Sequence, residues 1–191
     1  PLVAQSPYAA SKIGADMMVT AYARSFDLPA VLLRPFNTYG PRQSERAVLP
    51  TIIRQAIDTE CEAIHVGNLT PIRDFNYVED IAEAFVAAGT TDQLEYGIPY
   101  NAGSGTGVTI GEAAKLICDI CGTNKPIEND EKRHRPENSE VFELLAAAKK
   151  FRQAAGWSSR VALRDGLSET VCWWRRQSEN TNLRRDHDMM Y

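Results

Sequence analysis

Cysteine, long apolar runs and excess positive charge are all scarce in this chain. Four cysteines among 191 residues are too few for a disulfide scaffold, so we expect a cytoplasmic protein in a reducing compartment. No apolar run approaches the roughly 18 residues of a membrane span. The net charge of -4 provides no basic surface for nucleic acid. We therefore expect neither a membrane nor a nucleic-acid partner.

Metal-ligand spacing is also lacking. Cys118 and Cys121 are spaced like half of a zinc site, but no second pair of cysteines or histidines follows at ligand spacing. One cysteine on the buried face of a helix and one near its end is the simpler interpretation. We expect no metal site.

Apolar runs typical of strands alternate with helical periodicity along the chain, which predicts an α/β fold. Thr109 is predicted to cap the fourth helix. A polar, irregular tail is predicted from residue 178 onward. The predicted helices span residues 8–26, 47–59, 78–88, 110–121, 149–155 and 163–176, and the predicted strands or extended segments span 30–33, 63–66, 73–77 and 99–103.

The most informative motif stands almost at the first residue. Tyr8 and Lys12 are four residues apart, so on a helix they share a face and can converge on one ligand. A lysine ammonium close to a phenol stabilises the phenolate, which turns tyrosine into a usable base. The spacing alone is weak, because a solvated helix face produces it by chance.

Three ordered motifs give this pair a context: Ser-Pro-Tyr-Ala-Ala-Ser-Lys at 6–12, Leu-Leu-Arg-Pro-Phe-Asn-Thr-Tyr-Gly-Pro-Arg-Gln at 32–43, and Arg-Asp-Phe-Asn-Tyr-Val-Glu-Asp at 73–80. Together they resemble the extended short-chain dehydrogenase/reductases, the NAD-dependent sugar-nucleotide epimerases and dehydratases, from the first residues to about Arg176. The segments 44–50 and 135–141 are most similar to 4,6-dehydratases acting on UDP-N-acetylglucosamine-like substrates, of the legionaminic-acid type.

The resemblance implies a Rossmann-like doubly wound parallel sheet with a small α/β substrate domain. Residues 1–45 would belong to the NAD-binding domain and 46–177 mainly to the sugar-nucleotide domain, with some segments returning to the Rossmann sheet. Tyr8 would take the proton of the sugar 4-hydroxyl, and Lys12 would grip the nicotinamide ribose. Pro35 and Phe36 match residues that line the nicotinamide and the sugar.

The resemblance also implies a substrate site. Asn37 and Arg73 match residues that bind the diphosphate, a group that a guanidinium pairs bidentately. Arg135 matches a second arginine, directed to phosphate or ribose. An ion pair of Arg73 with Asp74 or Asp80, and a solvated ion cluster around Arg135, remain open as alternatives. The other matches are Ala47 and Val48, which would cover the nucleotide base, and Asn101, near the ribose.

In the family the glycine-rich phosphate turn, the Ser/Thr that assists the tyrosine and the Asp-Glu pair of dehydratases all precede the tyrosine. Only seven residues precede Tyr8 here. We therefore expect a C-terminal part of such an enzyme, inactive and without tight NAD or nucleotide-sugar binding by itself. A UDP-sugar 4-epimerase, a UDP-glucuronate decarboxylase, a non-enzymatic binding fragment and half of a split enzyme remain open. Intact relatives are implied to be homodimers; the oligomeric state of this chain is not predicted.

Overall fold

A computed structural model describes residues 2–133 and 141–180, and within them the predicted α/β class is confirmed. No helix in these two ranges is long and apolar enough to cross a membrane. The helices are α1 (Pro7–Phe26), α2 (Val48–Ile57), α3 (Val78–Thr90), α4 (Ile110–Cys121), α5 (Lys149–Ala155) and α6 (Leu163–Asn180), with a 3-10 turn at Glu131–Arg133. The strands are β1 (Leu32–Pro35), β2 (Thr38–Tyr39), β3 (Ile64–Val66), β4 (Ile72–Arg73), β5 (Asn76–Tyr77), β6 (Pro99–Ala102), β7 (Val108–Thr109), β8 (Ile127–Asn129) and β9 (Glu143–Leu144).

Most strand pairs are parallel, as expected when helices connect the strands. Strand β1 pairs with β6, β2 with β5, and β3 with β8, all parallel. Strand β4 lies between β7, which is antiparallel to it, and β9, which is parallel to it. The parallel β1–β6 pair brings the ends of both strands to one edge, and the chain leaves β1 there towards Asn37.

Two groups of buried side chains hold these elements together. The larger one joins α2, α4 and α6 to β3 and includes Ile53, Ile117 and Leu167. The smaller one joins α3 and α5 to β1 and β6 around Tyr100 and Phe151. Each fully buried aliphatic side chain in these groups contributes about 1.5–3 kcal/mol relative to an exposed one.

Helix α1 belongs to neither of these buried groups, since none of its residues is buried. It begins at a Ser6 cap whose hydroxyl accepts the N–H of Ala9 at 3.1 Å. Polar contacts attach it to the β1–β6 pair: Arg34 Nε donates to Asp16 at 2.6 Å, and the Thr20 hydroxyl donates to the Gly97 carbonyl at 3.2 Å. One face of α1 therefore stays open, and Tyr8 lies at its start.

The carboxylate of Asp74, fully buried, connects three segments near the centre. It accepts the Ser104 hydroxyl at 2.6 Å and the N–H groups of Gly105 and Ala146 at 2.8 and 3.1 Å. Gly103 lies between them, and a Cβ at that position would be 2.9 Å from Asp74 Oδ2 and would overlap Ala146. This close approach of two segments of the chain requires a glycine at position 103.

Several boundaries differ from those expected. Strand β1 begins at Leu32 rather than residue 30, because its register is set by pairing with β6. The short strand β2, which pairs with β5, is absent from the predicted strands. Helix α6 continues to Asn180, beyond the predicted end at 176 and into the start of the predicted tail.

Candidate functional site

A cleft of about 240 Å³ lies between the loop after β1, the start of α2, and strands β3 and β4. The loop from Gly40 to Ala47 forms one wall and is tied to α2. Glu45 pairs with Arg54 at 2.7 Å, and the Thr51 hydroxyl lies 3.0 Å from the carbonyls of both Glu45 and Ala47. Because these contacts fix the loop at both ends of its last turn, the wall of the cleft is built before any ligand binds.

The charge of the cleft is positive. Arg46, Arg73 and Arg133 line it, and none of its lining residues in the described ranges is an aspartate or glutamate. Arg133 is oriented by Asp130, whose carboxylate accepts Nε at 3.1 Å. Although partial burial acts in the opposite direction, the Lys132 N–H and the Arg133 guanidinium lower the pKa of Asp130. Three arginines among the described lining residues of one cavity suit an anion such as a diphosphate.

Four of the predicted substrate-site residues line this cleft: Asn37, Ala47, Val48 and Arg73. Asn37 follows β1, and its carbonyl accepts the N–H of Asn76 at 2.9 Å. Ala47 and Val48 stand where α2 begins. Residues separated by up to 36 positions in the sequence thus meet at one cavity, which is lined both by apolar residues at the start of α2 and by arginines.

The other predicted residues do not line the cleft. On α1, the Lys12 ammonium lies 5.6 Å from the centre of the Tyr8 ring, and Tyr8 is 72% exposed. Pro35 ends β1, the Phe36 N–H donates to the Ala102 carbonyl at 2.9 Å, and Asn101 lies on β6 opposite Arg34. We call these five residues the second group: Pro35, Phe36 and Asn101 lie near the ends of two parallel strands, whereas Tyr8 and Lys12 lie on α1. Arg135 lies outside the described residues.

The lining residues that were not predicted from the sequence include Gln43, Arg46, His65 and Arg133. Arg46 stands beside the predicted Ala47, so a search for charge next to that position would have found it. His65 was interpreted only as a strand residue; its imidazole Nδ1 lies 3.5 Å from Glu128 on the neighbouring strand β8. Gln43 lies within the motif at 32–43 but was not assigned a role there, and Arg133 carries no local signal, because only the fold brings its segment to the cleft.

Asp74 and Asp80, the alternative partners considered for Arg73, accept hydrogen bonds from other groups. The Asp74 carboxylate accepts from Ser104, Gly105 and Ala146, as described above. The Asp80 carboxylate accepts the Ser159 hydroxyl and the N–H groups of Arg160 and Val161, all at 3.0–3.1 Å. Both carboxylates therefore hold loops in place around the core.

Comparison with known proteins identifies this architecture. A sequence model of the GDP-mannose 4,6-dehydratase family matches residues 1–170. A trifunctional UDP-glucose 4,6-dehydratase/3,5-epimerase/reductase of Arabidopsis thaliana is 33% identical over 178 residues, which cover 93% of this chain and 26% of that protein.

Solved structures agree. Pal from Bacillus thuringiensis superposes with a TM-score of 0.81 at 34% identity, over 93% of this chain and 55% of that one. The UDP-glucuronic acid 4-epimerase of Bacillus cereus, solved with UDP-glucuronic acid and NAD, superposes with a TM-score of 0.83 at 26% identity, over 92% and 54%. The chain thus spans about half the length of these solved relatives. It belongs to the GDP-mannose 4,6-dehydratase family, among the extended short-chain dehydrogenase/reductases that its three motifs predicted.

Proposed function

We propose that this chain contributes the substrate cleft and the tyrosine–lysine pair of an NAD-dependent nucleotide-sugar 4,6-dehydratase. The observation that carries the proposal is the cleft itself, where Asn37, Arg73 and two further arginines surround a cavity without a carboxylate among its described lining residues. A diphosphate supplies the complementary charge, and the apolar start of α2 offers a surface for a nucleotide base. The substrate we favour is a UDP-N-acetylglucosamine-like sugar, from the resemblance of segments 44–50 and 135–141.

The second group of residues fits a dinucleotide. Tyr8 and Lys12 expose a hydroxyl and an ammonium on one face of α1, and Pro35 and Asn101 stand at the ends of parallel strands, where α/β folds bind such cofactors. The Bacillus cereus relative is described with NAD bound. When bound, NAD would accept a hydride from the sugar and return it after water is lost.

The residues of this chain would hold the substrate and move one proton. Arg73 and Asn37 would fix the diphosphate, so that the sugar extends away from the cleft. The phenolate of Tyr8 would take the proton of the sugar 4-hydroxyl, and the Lys12 ammonium would stabilise that phenolate and orient a ribose hydroxyl.

The test uses the protein expressed from its complete reading frame. It is incubated with UDP-N-acetylglucosamine, UDP-glucose, dTDP-glucose and UDP-glucuronic acid, and products are analysed by mass spectrometry and NMR. Loss of one water from a nucleotide sugar supports the proposal. An epimer of unchanged mass would indicate a 4-epimerase, and loss of carbon dioxide a decarboxylase. Absence of both turnover and nucleotide binding would refute it.

Two pairs of variants test the proposed roles of Tyr8 and Arg73. Tyr8→Phe should lower kcat about 10²–10⁴-fold, as expected for loss of a general base, whereas Tyr22→Phe on the same helix should not. Arg73→Ala should raise KM about 10- to 100-fold through loss of a charged hydrogen bond, whereas Arg24→Ala should leave KM unchanged.

A further inference from the structure

Two buried side-chain oxygen atoms of residues that line the cleft have no hydrogen-bond partner within the part of the chain that the structure describes. They are Oδ1 of Asn37 and Oε1 of Gln43, and both residues line the cavity. A buried acceptor left unsatisfied is costly, and native proteins contain few of them. Two at one cavity indicate that their donors arrive with a ligand.

The nitrogen of the Gln43 side-chain amide determines how that amide is oriented. Nε2 donates to the Thr38 carbonyl at 2.8 Å. Turning the amide by half a rotation would place Oε1 against that carbonyl oxygen, and two acceptors repel one another. The oxygen must therefore remain on the side of the amide without a protein donor.

The backbone around Gln43 is also held. Its N–H donates to the Gly40 carbonyl at 3.3 Å, and the same loop is tied to α2 by the Glu45–Arg54 pair. A side chain positioned in advance loses little entropy when it binds a ligand. Gln43 is thus arranged as a receptor for one donor group.

A ligand that satisfies the cleft therefore needs both hydrogen-bond acceptors and hydrogen-bond donors. Its guanidiniums donate only, and these two amide oxygens accept only. Inorganic phosphate would match the first set alone. A nucleotide sugar carries anionic oxygens and hydroxyl donors within one molecule and matches both.

We infer that Gln43 is a specificity-determining residue of this site, whose Oε1 accepts a hydrogen bond from a hydroxyl group of the bound nucleotide sugar. The hydroxyl belongs either to the ribose or to the sugar. This inference rests on the proposed function and adds to it a residue that selects for a hydroxyl-bearing ligand rather than for charge.

The test is calorimetric binding to the protein expressed from its complete reading frame. Gln43→Met retains the side-chain length and removes the amide; Gln43→Asn, too short to bridge Thr38 and the ligand, is a second variant in case the first is unstable. Gln93→Met, at an exposed position, is the matched control. The ligands are UDP-N-acetylglucosamine, UDP, 2′-deoxy-UDP and 3′-deoxy-UDP. Circular dichroism and the Tm verify that each variant is folded.

We expect either Gln43 variant to bind UDP-N-acetylglucosamine on the order of tenfold more weakly, the effect of one lost hydrogen bond. If the donor is a ribose hydroxyl, the Gln43 variants bind UDP more weakly by the same factor. The wild type then binds one of the two deoxy analogues more weakly than UDP, and the variants show no such difference. If the donor belongs to the sugar, UDP binding is unchanged. Either pattern supports the inference, and a purely structural role of Gln43 would not produce the discrimination.

Affinities of folded Gln43 variants within twofold of the wild type for all four ligands would overturn the inference. The proposed function would survive that result if Arg73→Ala still weakened binding about 10- to 100-fold. If the wild type bound none of these nucleotides, the proposed function and the inference would both be overturned.

Discussion

The side-chain amide of Gln55 forms two hydrogen bonds with the backbone of His65. Its Nε2 donates to the His65 carbonyl at 3.1 Å, and its Oε1 accepts the His65 N–H at 2.9 Å. Strand β3 pairs with β8 on its other edge, so Gln55 takes the place of a second neighbouring strand. This contact fixes the part of the cleft wall that carries His65.

We predict that Gln55→Leu lowers the free energy of unfolding by about 2–4 kcal/mol, because the buried side chain of Gln55 would no longer pair with the backbone donor and acceptor of His65. Urea titration measures the change. Gln93→Leu, exposed, should stay within about 0.5 kcal/mol of the wild type. Equal stability of both variants would show that water satisfies the His65 backbone.

The glycine at 103 offers a second test. Gly103→Ala should cost about 1–3 kcal/mol, since the added Cβ overlaps Ala146 and approaches Asp74. Gly89→Ala is the matched change, within α3 and with no atom near the added Cβ, and it should stabilise by about 0.5–1 kcal/mol through helix propensity. Thermal unfolding of both variants checks the opposite signs, and two changes of the same sign would contradict this account.

Helix α4 begins with a reciprocal cap. The Thr109 hydroxyl accepts the Glu112 N–H at 3.0 Å, and Glu112 accepts the Thr109 N–H at 2.8 Å. Thr109→Ala should therefore lower stability by about 1 kcal/mol, measured by urea titration. Thr106→Ala, three residues earlier at an exposed position, should have little effect. A larger loss in Thr106→Ala than in Thr109→Ala would argue against the cap.

This cap also shows why part of the fold was predictable from sequence. Thr109, Glu112 and the apolar spacing that follows are local signals, and helix α4 has the predicted bounds. The register of β1 is not local, because it depends on β6, more than sixty residues further on. Strands of two residues, such as β2 and β5, have no periodicity that a sequence could display.

The candidate site also combines residues that local sequence identifies with residues that only the fold brings together. Asn37 and Arg73 stand in sequence motifs that the family resemblance identified, and the structure brings both to one cleft. Gln43 stands in the same motif as Asn37, but its place at the cleft depends on the loop after β2, and Arg133 reaches the cleft through the 3-10 turn. The importance of Gln43 depends on an unpaired oxygen, which only coordinates reveal.

A pH dependence follows from the thiol of Cys121. Burial raises its pKa from 9.0 to about 11, while the Arg175 guanidinium acts in the opposite direction. The folded-state value exceeds the unfolded one, so the contribution to stability is complete below pH 9 and is lost as the pH rises towards 11.

We therefore expect Cys121→Ala to lose less stability than the wild type between pH 8 and pH 11, in urea titrations with a reductant present. Burial also raises the pKa values of Tyr39, Tyr77 and Cys118, so part of the alkaline loss remains. Ser168→Ala, which removes no titratable group, should keep the wild-type slope. An unchanged slope in Cys121→Ala would remove the thiol as its cause.

Helix α1 has a consequence for how the two groups of functional residues respond to perturbation. It is attached by polar contacts and buries no side chain, whereas the arginine cleft is built on elements of the larger core. Local opening of α1 would displace Tyr8 and Lys12 while leaving the cleft intact. In amide hydrogen exchange, α1 should exchange through such openings and α4 only with global unfolding. Within these 191 residues, the arrangement of Tyr8 and Lys12 would then be lost under conditions in which the arginine cleft persists.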